Sequence, residues 1–246
     1  MQQGIFLALT NCTDPSRHED FNRWYSRVHV PQLRATPGLV RVRRFTNAFP
    51  TKGPSQYLAL YDFESQDTLA SVEDLRRRAR GAFGHTGKHP CLEAVGQHAY
   101  TEISPHEHRP PDRVAYPPKR DLPAGRLEPS EAKPLVKTLP RAVYMILTNC
   151  ADSAREEEFN RWYSHVHVPD LRPARGMVSA TRYRVAGPGH GPSAYLARYE
   201  FETPDLQMSL GDVRRLAGTA RENGRSIDCL DAVAFWLFLE VDESGL

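Results

Sequence analysis

The sequence predicts an α+β protein made of two tandem ferredoxin-like units, each with the order βαββαβ. The first observation is a repeat, because residues 21–34 and 159–172 agree at 12 of 14 positions. The second is that the similarity continues at a constant offset of 138 residues, without a gap, from residue 9 to residue 95. The third is that each copy alternates between strand-like and helix-like apolar periods. A unit of about 100 residues has the size of a small domain.

The first strand and the first helix open each unit. Residues 3–12 alternate between apolar and other residues, which predicts a strand. Residues 15–29 are predicted as a helix, because four residues recur at the spacing of one buried helical face. These four are Phe21, Trp24, Tyr25 and Val28. Pro31 disfavours a helical conformation at Val30, so we expect the helix to end near His29.

The rest of the unit follows the same reasoning. Residues 39–48 and 55–64 are predicted as strands joined by a Pro- and Gly-rich turn, residues 67–83 as a second helix, and residues 93–103 as the last strand. The second unit repeats these elements at residues 142–150, 153–167, 177–186, 193–202, 205–220 and 230–241. In this arrangement the helices cover one face of the sheet and leave an apolar face, which we expect the other unit to cover.

Between the units lies a proline-rich segment. Nine of the twenty prolines fall between residues 104 and 140, which is typical of an extended linker. We therefore predict a first domain at residues 1–104, a linker at 105–139 and a second domain at 140–246.

Composition excludes several classes of partner. Charged residues make up 25% of the 246 residues, and the formal net charge is +2, so neither nucleic acid nor a membrane is an expected partner. There is no apolar run of about 20 residues and no signal-peptide pattern, so we predict a cytoplasmic location. Four cysteines without a CxxC pattern predict reduced thiols, with Cys12 near Cys91 and Cys150 near Cys229, and no metal site. His85 and His89 are four residues apart, but we place them in a loop and assign them no metal.

The segment FNRWYSRVHVPQL (residues 21–33) resembles the EthD-like family of the dimeric α+β barrel superfamily, in which a helix bearing WY…VHVP follows the first strand. The resemblance covers both units but not the linker. It implies that the two units form an intramolecular dimeric α+β barrel, and the fused chain could itself form a homodimer. The superfamily includes polyketide cyclases, muconolactone-type isomerases, small monooxygenases and haem proteins.

The repeated helix supplies the first candidate catalytic residues. Tyr25 and His29 share a helical face, and Tyr163 and His167 are their counterparts. At the helix C-terminus the dipole would favour a protonated His29, and a histidine can exchange protons near neutral pH. The alternative is that His29 only caps the helix. Trp24 and Trp162 are predicted to bind substrate, or else to pack in the core.

The strands supply the other candidates. Tyr57 and Tyr61 lie on one face of their strand, and Tyr195 and Tyr199 repeat them, so we predict that all four bind substrate, with an aromatic core as the alternative. Asn11 and Asn149 could stabilise an oxyanion, or could be turn residues. His85 has no counterpart in the second unit, so we expect it to assist His29 and the first pocket to be the more active.

These residues predict an enzyme that needs no cofactor. The expected reaction is that of a lyase, isomerase or cyclase that moves protons on a small aromatic or polyketide-like substrate. Alternatives are a cofactorless monooxygenase of phenols and a non-enzymatic binding or accessory protein for a hydrophobic small molecule. Haem binding is a further alternative, which the histidines permit but no motif supports.

Overall fold

The computed structural model describes residues 1–49, 51–103 and 139–241. We call residues 1–103 the first half and residues 139–241 the second half. The strands of the first half are β1 (Gln2–Cys12), β2 (Leu39–Asn47), β3 (Tyr57–Ser65) and β4 (Leu92–Glu102), and its helices are α1 (residues 18–33) and α2 (Thr68–Thr86). Those of the second half are β5 (Arg141–Cys150), β6 (Met177–Val185), β7 (Tyr195–Glu202) and β8 (Leu230–Glu240), with α3 (residues 156–171) and α4 (Leu206–Glu222). The predicted βαββαβ order is confirmed in both halves.

The eight strands form one closed antiparallel barrel in the order β1-β3-β2-β8-β5-β7-β6-β4. Within the first half, β1 pairs with β3 and with β4 along most of its length. The halves meet at two short seams, where β2 pairs with β8 from Phe45–Glu240 to Asn47–Phe238, and β4 pairs with β6 from Tyr100–Val185 to Glu102–Tyr183. The two sheets therefore share a core by closing into a single barrel, as the resemblance implied.

Alternation along the strands separates an inner core from two outer cores. On β3, Leu58 and Leu60 point into the barrel, whereas Tyr57, Ala59 and Tyr61 pack beneath the helices of the first half. The second half repeats this division, with its outer core under α3 and α4. Each pair of helices thus covers the outside of the barrel, and a site can form between helix and sheet.

Buried charges join the two halves inside one end of the barrel. The guanidinium of Arg43 lies 2.8 Å from the carboxylate of Glu200, and that of Arg198 lies 2.7 Å from the carboxylate of Asp62. The side chains of the two arginines are only 10% exposed. Each of these ion pairs crosses from one half to the other, and burial makes the loss of either partner costly.

Helix α1 continues beyond its predicted end. It is α-helical over His18–Trp24, π-helical over Tyr25–His29 and α-helical again over Val30–Leu33. The N–H of Val30 donates to the carbonyl of Tyr25, five residues back. This wider turn admits Pro31, which has no N–H to donate and would clash in a regular helix.

The π-helical turn also changes which residues are buried. Val28 was predicted on the buried face and is 37% exposed, whereas His29 is 5% exposed. His29 therefore lies within the helix and not at its C-terminus, and the predicted effect of the helix dipole on this histidine is wrong.

Some sequence predictions fall outside the described residues. The structure describes nothing between residues 103 and 139, where the linker was predicted, so the division into domains stays a prediction. The four cysteines are free thiols, and the backbone N–H of Thr13 donates to the carbonyl of Cys91 at 3.0 Å, which sets the end of β1 beside Cys91. Among the described helices, none is long and apolar enough to cross a membrane.

Candidate functional site

A cavity of about 290 Å³ lies between the barrel and the two helices of the first half. Strands β1, β3 and β4 form its floor, and α1 and α2 form its other walls. Its apolar lining includes Phe6, Ala8, Leu33, Leu75, Ala79, Phe83, Leu92 and Ala94. Tyr25, His29 and Tyr61 bring polar groups to the same space. We call this space the first-half cavity.

The imidazole of His29 packs in a cluster of aromatic rings. The rings of Trp24, at 5.2 Å between centroids, and Phe83, at 5.0 Å, are nearly parallel to the imidazole and lie 6.3 Å from each other. Tyr25 meets it edge-on at 5.0 Å. The Nδ1 atom is buried and has no hydrogen-bond partner in the described part of the chain. Burial, assisted by the nearby charge of Arg44, lowers the pKa of His29 to about 4, so the ring is neutral at pH 7.

Two phenols and a buried arginine adjoin His29. The hydroxyls of Tyr25 and Tyr61 lie 3.4 Å apart, and burial raises the pKa of both. The guanidinium of Arg44 lies 4.3 Å from the centroid of the Tyr25 ring and donates to the side-chain oxygen of Asn22 at 2.8 Å. These phenols stay protonated at neutral pH and can donate hydrogen bonds but do not act as bases.

Three cations line the first-half cavity. Arg76 lies 5.2 Å over the ring of Phe6 and donates to the side chain of Gln97 at 3.0 Å. Arg80 and Lys88 are exposed, so they lie on the solvent side of the cavity. The cavity is thus apolar inside and positively charged at its mouth.

The second half repeats the stacked histidine and the pair of tyrosines, but other side chains around them differ. His167 stacks on Trp162 at 5.0 Å, and the hydroxyls of Tyr163 and Tyr199 lie 3.5 Å apart. Burial lowers the pKa of His167 to about 4 as well. At the 138-residue offset, however, Ile146 replaces Ala8. On the helix wall, Arg221 stands at the position of Phe83, so the two halves differ on both the floor and the wall at this place.

His85 does not contribute to this asymmetry. It lies on helix α2, not in a loop as predicted, and its side chain is exposed and outside the cavity lining. His89, to which no role was assigned, is buried, with Nε2 3.1 Å from the carboxylate of Asp20 and Nδ1 accepting from the N–H of Cys91 at 3.2 Å. Among the described residues, no cluster of three or more His, Cys, Asp or Glu side chains could hold a metal ion.

Tyr57 and Tyr195 belong to a different cluster from His29 and His167. The hydroxyl of Tyr57 lies 2.6 Å from Nδ1 of His18 and accepts from Asn22 at 3.2 Å. That of Tyr195 donates to Glu156 and accepts from Asn160 at 2.8 Å. The predicted wall of four phenols is thus divided, and only Tyr61 of the first-half pair lines the cavity.

The two asparagines are occupied by the sheet. The side-chain oxygen of Asn11 accepts from the N–H of Gln56 at 2.8 Å, and its amide donates to Glu93 at 2.8 Å. Asn149 accepts from Ala194 at 2.8 Å in the same way. Both side chains tie strand ends together, and the structure does not bring Asn11 into the lining of the first-half cavity.

Solved structures share this fold over nearly the whole chain, although comparison with protein-family models and with curated proteins found no match. A mutant chlorite dismutase from Candidatus Nitrospira defluvii in complex with cyanide is 11% identical, with a TM-score of 0.57 and coverage of 98% of this chain and 91% of that one. A haem-binding protein from Thermus thermophilus is 12% identical, with a TM-score of 0.53 and coverage of 99% and 93%. The predicted dimeric α+β barrel fold is confirmed, and the EthD-type family stays a prediction.

The predicted cofactor-independent function is wrong. Solved structures that share the fold over nearly the whole chain include, by their names, chlorite dismutases and a haem-binding protein, which point to haem-dependent function. The geometry agrees with this correction, because a histidine whose pKa is about 4 is a poor proton acceptor at neutral pH. The cofactorless monooxygenase is overturned by the same finding, and the non-enzymatic binding or accessory protein stays a prediction.

Proposed function

We propose that this chain binds haem in the first-half cavity, with His29 as the axial ligand, and acts as a haem-dependent enzyme. His29 carries the proposal, because it is a buried imidazole on the cavity wall whose Nδ1 has no partner in the described part of the chain. Haem iron is commonly held by one histidine, which must be neutral to bind. A pKa of about 4 keeps His29 neutral throughout the physiological range.

The remainder of the cavity suits a porphyrin. Its walls are apolar, but its volume of about 290 Å³ falls just below the range for small-molecule sites, about 300–1,000 Å³. A porphyrin is larger and would therefore extend through the open side. Arg80 and Lys88 are exposed there, and guanidinium and ammonium groups pair with carboxylates such as the haem propionates.

The orientation of His29 comes from stacking. A metal-bound histidine usually donates its second ring N–H to a carboxylate or carbonyl, which fixes the ring. The described residues offer His29 no such acceptor, and the nearly parallel rings of Trp24 and Phe83 pack against the imidazole. When bound, haem supplies one-electron and oxygen chemistry, while the side chains of the cavity bind it, orient it and exclude water.

Haem titration of the purified full-length chain, followed by visible absorbance, tests this proposal. We expect a saturable Soret band with the wild-type protein. His29→Ala should weaken haem binding by at least about 10- to 100-fold, the range measured when a metal ligand loses its support. His167→Ala is the matched control and should leave haem affinity unchanged. The haem-loaded protein would then be assayed with chlorite and with hydrogen peroxide.

A second variant tests the cavity without touching the ligand. Ala8→Ile installs the residue found at the equivalent position of the second half, and we expect it to fill the cavity and remove haem binding while His29 stays in place. If the wild-type chain gave no Soret band, haem binding would be refuted. If the His29→Ala and wild-type proteins bound haem equally well, His29 would not be the ligand.

A further inference from the structure

A second cavity, of about 230 Å³, lies where the two halves meet, and its lining includes neither His29 nor His167. The turn between β2 and β3 forms one wall with Phe49 and Lys52, and β5, α4 and β8 form the others. We call this space the seam cavity. It is independent of the haem proposal, because the two cavities have no lining residue in common.

The wall from the first half is fixed by hydrogen bonds. The side-chain oxygen of Asn47 accepts from the N–H of Phe49 at 2.9 Å, and its amide donates to the carbonyls of Lys52 at 2.9 Å and Ser55 at 2.8 Å. The N–H of Ala48 donates to the carbonyl of Leu237 at 3.0 Å, which joins this turn to β8. Hydrogen bonds therefore hold this wall of the cavity in place and connect it to both halves of the chain.

Aromatic rings line the space and remain open to solvent. Tyr144 and Phe235 stack at 6.4 Å between centroids, whereas the ring of Trp236, the next residue on β8, is buried in the inner core of the barrel. Phe49 is 53% exposed and Phe235 is 56% exposed. Large apolar side chains that stay exposed around a concave space are typical of a ligand site.

The charge of the seam cavity is positive. Lys52 and Arg214 line it, and its lining contains no acidic residue. The equivalent of Arg214 in the first half is Arg76, which is held by Glu73 and Gln97. At the 138-residue offset these two partners become Gly211 and Phe235.

The second half has thus kept the arginine and replaced both of its partners. Within the described ranges, Arg214 forms no salt bridge. A guanidinium that has no carboxylate partner can bind an anionic group, and the aromatic wall beside it can bind an apolar group. Together they suit an anion with an apolar body.

We propose that the seam cavity binds a small organic carboxylate with an aromatic or short aliphatic body. Arg214 and Lys52 would pair with the carboxylate, and Phe49, Tyr144 and Phe235 would pack on the body. The volume of about 230 Å³ falls below the range of drug-sized ligands, about 300–1,000 Å³, which limits the ligand to a compact molecule.

Calorimetric titration of the full-length chain with 2-naphthoate tests the proposal. We expect Arg214→Gln to weaken binding about tenfold or more, the effect of a lost hydrogen bond to a charged group. Phe235→Gln installs the first-half residue and should also weaken binding. Arg76→Gln is the matched control and should leave the affinity unchanged. The neutral analogue 2-naphthalenemethanol should bind more weakly than 2-naphthoate, by a factor similar to the Arg214→Gln loss.

Three results would overturn the proposal. The first is no binding of 2-naphthoate to the wild-type chain. The second is equal affinity of the wild-type and Arg214→Gln proteins. The third is a loss in Arg76→Gln as large as that in Arg214→Gln, which would move the anion to the first-half cavity. Because Arg214 is exposed, its replacement should not prevent folding.

Discussion

The buried histidines should make the protein's stability depend on pH between 4 and 6.5. Burial lowers the pKa of His29 from 6.5 to about 4. Between these values the unfolded chain binds a proton that the folded chain does not, so the free energy of unfolding falls as the pH falls through this window and is fully retained above it. At about 1.36 kcal/mol per pH unit, His29 contributes roughly 3.4 kcal/mol in all. Roughly 2 kcal/mol of this is lost between pH 7 and pH 5.

Urea unfolding at pH 7 and pH 5 measures this loss. Replacing His29 by Gln removes the titrating group, so the variant should lose about 2 kcal/mol less than the wild type over this interval, whatever its stability at pH 7. If wild-type and His29→Gln proteins lost equal stability between pH 7 and pH 5, the assignment of His29 as a buried neutral group would be refuted.

Two further predictions concern stability. Urea unfolding should show that Arg44→Met lowers the free energy of unfolding by about 2–4 kcal/mol, because the buried guanidinium donates three hydrogen bonds to α1 and stacks on an aromatic ring. Arg23 forms an exposed ion pair, so Arg23→Met is the control and should change this free energy by less than about 1 kcal/mol. Gly176→Ala should lower the free energy of unfolding by about 1–3 kcal/mol, because the φ of Gly176 is +72° and a Cβ would lie 2.8 Å from a backbone oxygen. Gly211 lies on a helix with open space around it, so Gly211→Ala should raise the free energy of unfolding by about 0.5–1 kcal/mol. Thermal unfolding measures both changes. An unchanged Tm in Gly176→Ala would contradict this reading of the turn.

Much of the fold could be predicted because its signals are local or repeated. Strand alternation and the constant 138-residue offset predicted the elements of both halves to within a few residues. Closure into a barrel was not predicted by local pattern, since pairing of β2 with β8 depends on the edges of distant strands. Pro31 was taken as a helix end, and the π-helical turn before it leaves Val28 exposed although its spacing placed it on the buried face.

The candidate site was predicted in part. Spacing along one helix placed Tyr25 beside His29, and alternation on β3 placed Tyr61 near both. The same alternation put Tyr57 on that face, but the ring of Phe21 packs against both Tyr57 and Tyr25. The hydroxyl of Tyr57 bonds to other partners than that of Tyr25. The difference between Ala8 and Ile146 was visible in the repeat, yet its effect on the cavity depends on packing that spacing alone does not give.

The joining of two unlike halves in one barrel sets how each site can change. In a barrel made from two identical chains, any substitution appears in both sites at once, and a change that suits one function must be tolerated twice. Here the stoichiometry of the halves is fixed at one to one by the chain itself. A substitution such as Ala8 to Ile146 between the halves can therefore change one side of the barrel alone, and the two halves can diverge independently under selection.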